Sequence, residues 1–173
     1  VKLGETSRGH ELWLNRAIAE CDVKVLTGFI EPHFFAGFSG GGKALMPGMA
    51  GLRTVLGNHD AANISSTNAT WGVTHGNPIW EEVMEAADMA GGVFLLNVAL
   101  NKYKQITGVF AGDLHQAHAA GCAFVRETAM APVAAPFDIV ITTNSGYPLD
   151  LNLYQAVKGM SAAAKVVRAG GLI

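Results

Sequence analysis

The sequence predicts an α/β fold, a layered sheet with helices on both faces. Three observations carry that prediction. Short apolar runs bounded by polar or glycine residues recur along the chain. Segments of helical periodicity separate them, the alternation expected of layered α/β proteins. Half of the 173 residues are hydrophobic and 15% are charged, which favours a packed core over disorder.

Residues 11–15 (ELWLN) read as a short strand, and 16–20 as a small helix. Residues 23–28 form an apolar run between Asp22 and Gly28, the pattern of a buried strand. A glycine turn then opens a helix near 43–46, and 52–56 read as a second short helix. Polar residues 58–74 read as a long loop, a length that often carries function. Asn77 followed by Pro78 starts a helix over 79–89, with Asn77 as cap and Pro78 in the first turn. Residues 93–98 and 106–110 read as strands, and Asp113 caps an alanine-rich helix reaching about residue 128. The run FDIVITT at 137–143 is the clearest buried strand, and a last helix spans about 152–167. The expectation is one α/β domain over 1–173, the central part of a longer chain. It starts at a valine and stops at Gly170-Gly171-Leu172-Ile173, where an apolar strand begins.

Composition excludes several classes of function. The net charge is −2, from 12 basic and 14 acidic residues with no basic run, so no nucleic-acid partner is expected. No secretory signal or apolar span of membrane length is present. Cys21 and Cys122 stand far apart, outside any C-x-x-C pattern. They read as two buried thiols in a reduced, cytoplasmic compartment.

Residues 31–48, EPHFFAGFSGGGKALMPG, are the most informative stretch. Residues 37–43 fit G-x-x-x-x-G-K, yet Ala44 occupies the position where a phosphate loop needs a magnesium-binding Ser or Thr. Eight residues also intervene between the preceding strand and this turn. What remains is Lys43 presented by a flexible Ser-Gly-Gly-Gly turn, with His33 upstream. That pairing suits a tethered or phosphate-bearing cofactor beside a proton-transfer group.

Ligands of open α/β sheets gather off the carboxyl ends of strands, so the loops after Gly28, Leu56 and Thr143 are the places to look. His33, His59 and Lys43 lie on loops that could converge at one sheet edge. On the last helix, Leu153, Val157, Met160 and Ala164 recur as a core face. Tyr154, Gln155 and Lys158 share another face and suit a carboxylate or phosphate, with a solvated helix surface as the competing account. His115 and His118 are three apart but lack a third ligand, which favours surface or packing roles. His75 sits on a loop with no assigned task.

EPHFFAGFSGGGKALMPG, then GNHDAAN, THGNPIWEEVMEAA and LNLYQAVKGM, together resemble the nickel-dependent lactate racemase family of 2-hydroxyacid racemases and epimerases. The similarity covers nearly the whole chain in matching order. It implies a nickel-pincer nucleotide, a pyridinium mononucleotide whose two thiocarbonyl arms hold nickel. The family's tethering lysine matches Lys43, its nickel-ligating histidine matches His59, and one of its two proton-exchanging histidines matches His33. Ser39, Gly40 and Gly41 match the cofactor turn, and Tyr154, Gln155 and Lys158 match the pocket-lining residues. The resemblance implies a small 2-hydroxyacid substrate, hydride transfer through a planar keto acid, and dependence on cofactor-assembly proteins. A homo-oligomer is compatible with it. The family's second base and arginine-bearing motif precede the region matched here, so this stretch alone is expected to present the cofactor and not to racemise. The alternative from another class is a non-catalytic α/β module that binds a nucleotide or cofactor.

Overall fold

A computed structural model describes residues 1–173, and its elements follow the predicted alternation. A hairpin of β1 (Lys2–Glu5) and β2 (Glu11–Trp13) precedes helix α1 (Arg16–Ala19). Strand β3 (Lys24–Phe29) leads to a small hairpin of β4 (Pro32–His33) and β5 (Gly37–Phe38). A 3₁₀ turn (Gly41–Ala44), α2 (Leu52–Asn58), α3 (Ala61–Ile64) and α4 (Pro78–Ala90) form the crossover to β6 (Val93–Leu100). Then come β7 (Ile106–Asp113), α5 (Leu114–Ala129), β8 (Phe137–Ile139), α6 (Leu153–Ala163) and β9 (Val167–Leu172).

The chain divides into two compact units, Val1–Met130 and Ala131–Ile173, where the sequence suggests one domain over 1–173. In the first unit the sheet order is β3-β6-β7, with β6 parallel to β3 and antiparallel to β7. Alternation along the strands buries Leu26, Leu95, Asn97 and Ala99 on one face. Leu26 and Leu95 share a core with Val83, Ala86 and Ala87 of α4 and with Leu114 and Ala117 of α5. The other face exposes Val25, Phe29, Phe94, Leu96, Leu100 and Val109. The α/β class holds, with both long helices on the same face of this sheet.

Local chemistry explains where the helices start. Asn77 caps α4 by accepting the N–H groups of Ile79 at 3.1 Å and Trp80 at 3.3 Å, with Pro78 in the first turn. Asp113 caps α5 through the Gln116 N–H at 2.9 Å. The loop expected over 58–74 contains α3, capped by Asp60 through the Asn63 N–H at 2.7 Å.

Three expectations are corrected. The run at 137–143 yields only a three-residue strand, and β8 is exposed along its length, with Ile141 beyond it 92% exposed. A parallel strand is buried only when layers cover both faces, and this unit supplies two paired strands and one helix. For the same reason the expected core face of α6 is largely open: Leu153, Met160 and Ala164 are exposed, Val157 is half-buried, and Ala163 is the buried residue. Cys122 is buried as expected, but Cys21 is exposed in the turn that follows α1.

Candidate functional site

The glycine turn is held from behind. Gly40 and Gly41 take left-handed φ values of +74° and +59°, which other residues adopt only under strain. A Cβ on Gly41 would come within 2.9 Å of the His118 ring, and one on Gly40 would strike the Asn97 amide. The Gly41 N–H donates to Asn97 Oδ1 at 2.8 Å, and Asn97 Nδ2 donates to the Leu26 carbonyl at 3.3 Å. His118 Nε2 donates to the Ser39 carbonyl at 2.9 Å, with its ring stacked over Trp80. The flexible turn expected from sequence is therefore a pinned one. Its helical continuation is a 3₁₀ turn of four residues, not an α-helix over 43–46. Ser39 Oγ is engaged locally, donating to the Phe29 carbonyl at 3.0 Å and accepting the Glu31 N–H at 2.9 Å.

Lys43, half-buried at the end of this turn, meets both expected histidines around one ring. Phe35 is 5% exposed. The His33 ring stands 4.6 Å from the Phe35 centroid at 80°, and the His59 ring 5.0 Å away at 85°. Lys43 Nζ lies 5.7 Å from the same centroid, within cation–π range. The convergence expected of three loops is thus present, organised by an aromatic that sequence reasoning did not single out.

Hydrogen bonds fix which ring nitrogen each histidine offers. His59 Nδ1 lies 3.1 Å from the Val55 carbonyl, an oxygen that can only accept, so Nδ1 carries the proton and Nε2 keeps its lone pair. Burial, and then the Lys43 ammonium, push the His59 pKa below its usual value; the Val55 carbonyl and Glu82 partly oppose them. The ring is therefore neutral near pH 7, the form that ligates metal. His33 shows the opposite arrangement: its Nδ1 accepts the Ala36 N–H at 3.2 Å, so a neutral ring carries its proton on Nε2.

No group of three or more His, Cys, Asp or Glu side chains is placed to hold a metal ion. A metal at His59 would need most of its ligands from a bound organic group. A single neutral imidazole beside a half-buried lysine suits a metal carried by such a group, since imidazole nitrogen is a ligand that first-row divalent metals accept.

In the second unit, α6 starts at Asn152, whose side chain accepts the Gln155 N–H at 3.1 Å. Asn144 ties the polar turn after β8 to this helix, accepting the Gly159 N–H at 2.9 Å and donating to the Gln155 carbonyl. Tyr154 is 51% exposed while Gln155 and Lys158 are half-buried. Burial of its hydroxyl end raises the Tyr154 pKa.

The remaining histidines have local explanations. His115 pairs with Asp88 at 2.7 Å on the surface, and His118 supports the glycine turn. His75 is exposed. Asn97 and His118 act at the site from the interior. The one sequence signal for Asn97 is an amide within the apolar run VFLLNVAL.

Comparison with known proteins shows the family. The family described as "Lactate racemase N-terminal domain" matches residues 1–72, and "Lactate racemase C-terminal domain" matches residues 133–173. The chain belongs to the lactate racemase family. It is 46% identical over 173 residues to the lactate racemase of Lactiplantibacillus plantarum, covering 100% of this chain and 41% of that protein. Identity to the lactate racemase of Thermoanaerobacterium thermosaccharolyticum is also 46%, over 171 residues, covering 99% of this chain and 40% of that protein. The structure of the lactate racemase apoprotein from T. thermosaccharolyticum superposes with a TM-score of 0.91 at 45% identity, over 99% of this chain and 41% of that one. A crystal structure of a Thermotoga maritima protein shares the fold, with a TM-score of 0.63 at 22% identity over 76% of this chain and 34% of that one. The chain thus spans about two fifths of the length of its family relatives. No helix is long and apolar enough to cross a membrane.

Proposed function

We propose that the chain provides the cofactor-bearing part of a lactate-type 2-hydroxyacid racemase or epimerase. The gathering of His33, Lys43 and His59 on the Phe35 ring supports this reading most. It places an amine, a lone-pair imidazole nitrogen and an imidazole N–H in one neighbourhood. Lys43 would form the thioamide tether to a nickel-pincer nucleotide, loaded by cofactor-assembly proteins. His59 would hold the nickel through Nε2, the nitrogen that the Val55 hydrogen bond leaves available. Bound there, the nickel-pincer nucleotide would supply the hydride acceptor for Cα of the substrate.

His33 would meet the substrate hydroxyl through Nε2. Its present tautomer offers that oxygen a donor. Accepting the hydroxyl proton at Nε2 requires the ring proton to move to Nδ1, which breaks the Ala36 N–H contact. Proton exchange at His33 is therefore coupled to release of that contact. Ser39, Gly40 and Gly41 would form the wall behind the tether. Tyr154, Gln155 and Lys158 would line the cofactor and receive the substrate carboxylate. Unpaired cysteines, one of them exposed, suit a reducing cytoplasm.

The test is the intact mass and nickel content of the protein after co-expression with the cofactor-making proteins. A covalent adduct with equimolar nickel is expected. An unmodified mass would contradict the reading.

A further inference from the structure

Glu82, on α4, is 1% exposed, and nothing in the proposed chemistry uses it. Its Oε1 accepts from Thr6 Oγ1 at 2.7 Å and faces His10 Nδ1 at 2.7 Å; its Oε2 accepts from Asn58 Nδ2 at 3.0 Å. Asn58 directly precedes His59. Its amide also donates to the Ile79 carbonyl at 3.2 Å, and its own carbonyl accepts from Asn63 Nδ2 at 3.1 Å. On the other side of His59, Asp60 Oδ2 lies 3.9 Å from His10 Nε2. His10 reaches this position by packing against Gly57, where a Cβ would come within 2.9 Å of the imidazole ring. Of the two chain neighbours of His59, Asn58 is hydrogen-bonded directly to the buried carboxylate, and Asp60 faces the far nitrogen of the imidazole that carboxylate holds.

A buried carboxylate is costly, and a well-packed apolar side chain is often as stable in its place. Its gain here lies in geometry. Asn58, His59 and Asp60 end α2 and begin α3, with Asn58 buried and His59 and Asp60 half-buried, so the side chains behind this turn decide which way the His59 ring faces.

We propose that Glu82, with His10 and Thr6 as its partners, is a positioning residue that fixes the Asn58-His59-Asp60 turn and holds His59 Nε2 in the direction a metal requires. This inference rests on the nickel-binding role proposed for His59. It places the control of metal affinity in α4 and the β1–β2 connection, elements that carry none of the cofactor contacts.

The experiment compares Glu82→Gln, which keeps shape and removes charge, with His10→Gln, which leaves Glu82 and removes the imidazole between it and Asp60. Both are made in the protein co-expressed with the cofactor-making proteins. Adduct mass, nickel retained against a chelator and the visible absorption of bound nickel are read together. Positioning predicts an unchanged adduct, nickel affinity lower by about 10–100-fold in Glu82→Gln, a shifted nickel absorption, and a smaller loss in the same direction for His10→Gln. A purely structural role would lower thermal stability and leave the nickel spectrum unchanged. If Glu82→Gln does not fold, His10→Gln decides alone. Wild-type nickel affinity and spectrum in the folded variants, with nickel lost in His59→Ala, would overturn the inference by itself. Nickel retained by His59→Ala would overturn the reading beneath it.

Discussion

Lys43 and Lys158 are both lysines near a polar turn, in different units and under different local control. Lys43 ends a turn whose carbonyl and amide groups are bound from behind by His118 and Asn97. Lys158 rides on a helix whose neighbouring residues Leu153, Tyr154 and Met160 are exposed. The turn that carries Lys43 is ordered by buried polar side chains contributed from β6 and α5, far away in sequence. The helix that carries Lys158 is ordered by its own cap and by Asn144 within the same unit. Presentation of a reactive side chain thus depends less on the glycines than on what stands behind them.

The strongest way to sharpen this contrast is to remove each reactive group. Lys43→Ala should abolish the covalent adduct, read by intact mass, whereas Lys158→Ala should leave a modified protein. His59→Ala should lose nickel while keeping the adduct, read by elemental analysis of the same sample. Phe35→Ala comes next, because three candidate groups rest on one buried ring. A loss of about 3–5 kcal/mol in chemical denaturation is expected, together with weaker loading. Tyr154→Phe, at a half-exposed site, should change stability little, and an equal loss there would break the contrast.

Gly41→Ala tests the turn itself. The left-handed φ and the close His118 ring predict a cost of about 1–3 kcal/mol, visible in a shifted denaturation midpoint. The smallest effect is with pH. Burial depresses the His118 pKa below its usual 6.5, more than the Ser39 carbonyl restores it. The unfolded state then binds the proton more readily than the folded one. Stability is therefore full above pH 6.5 and falls as pH drops below it toward the folded-state pKa. Urea unfolding at pH 7.5 and 5.5 should show this fall, reduced in His118→Asn.

Much of this was legible in the sequence, and particular residues show why. Asn77-Pro78 and Asp113 announced α4 and α5, because capping is local chemistry. The motif from residue 31 to 48 drew attention to His33 and Lys43, and the loop histidine His59 joined them where the three loops meet. Phe35 was visible only as one aromatic among several, since its role as shared support depends on where His59 arrives from α2. Asn97 and Glu82 act across 56 and 24 residues, on Gly41 and Asn58 respectively, separations that periodicity does not encode. The misreading of 137–143 has a different origin. An apolar run states a capacity for burial, and β8 within residues 131–173 has one partner strand and no layer over both faces.

The most direct test of the account is peptide mapping of the adduct on protein co-expressed with the cofactor-making proteins. The account predicts modification on the peptide that contains Lys43, with the Lys158 peptide unmodified. An adduct on Lys158, or its persistence in Lys43→Ala, would contradict it.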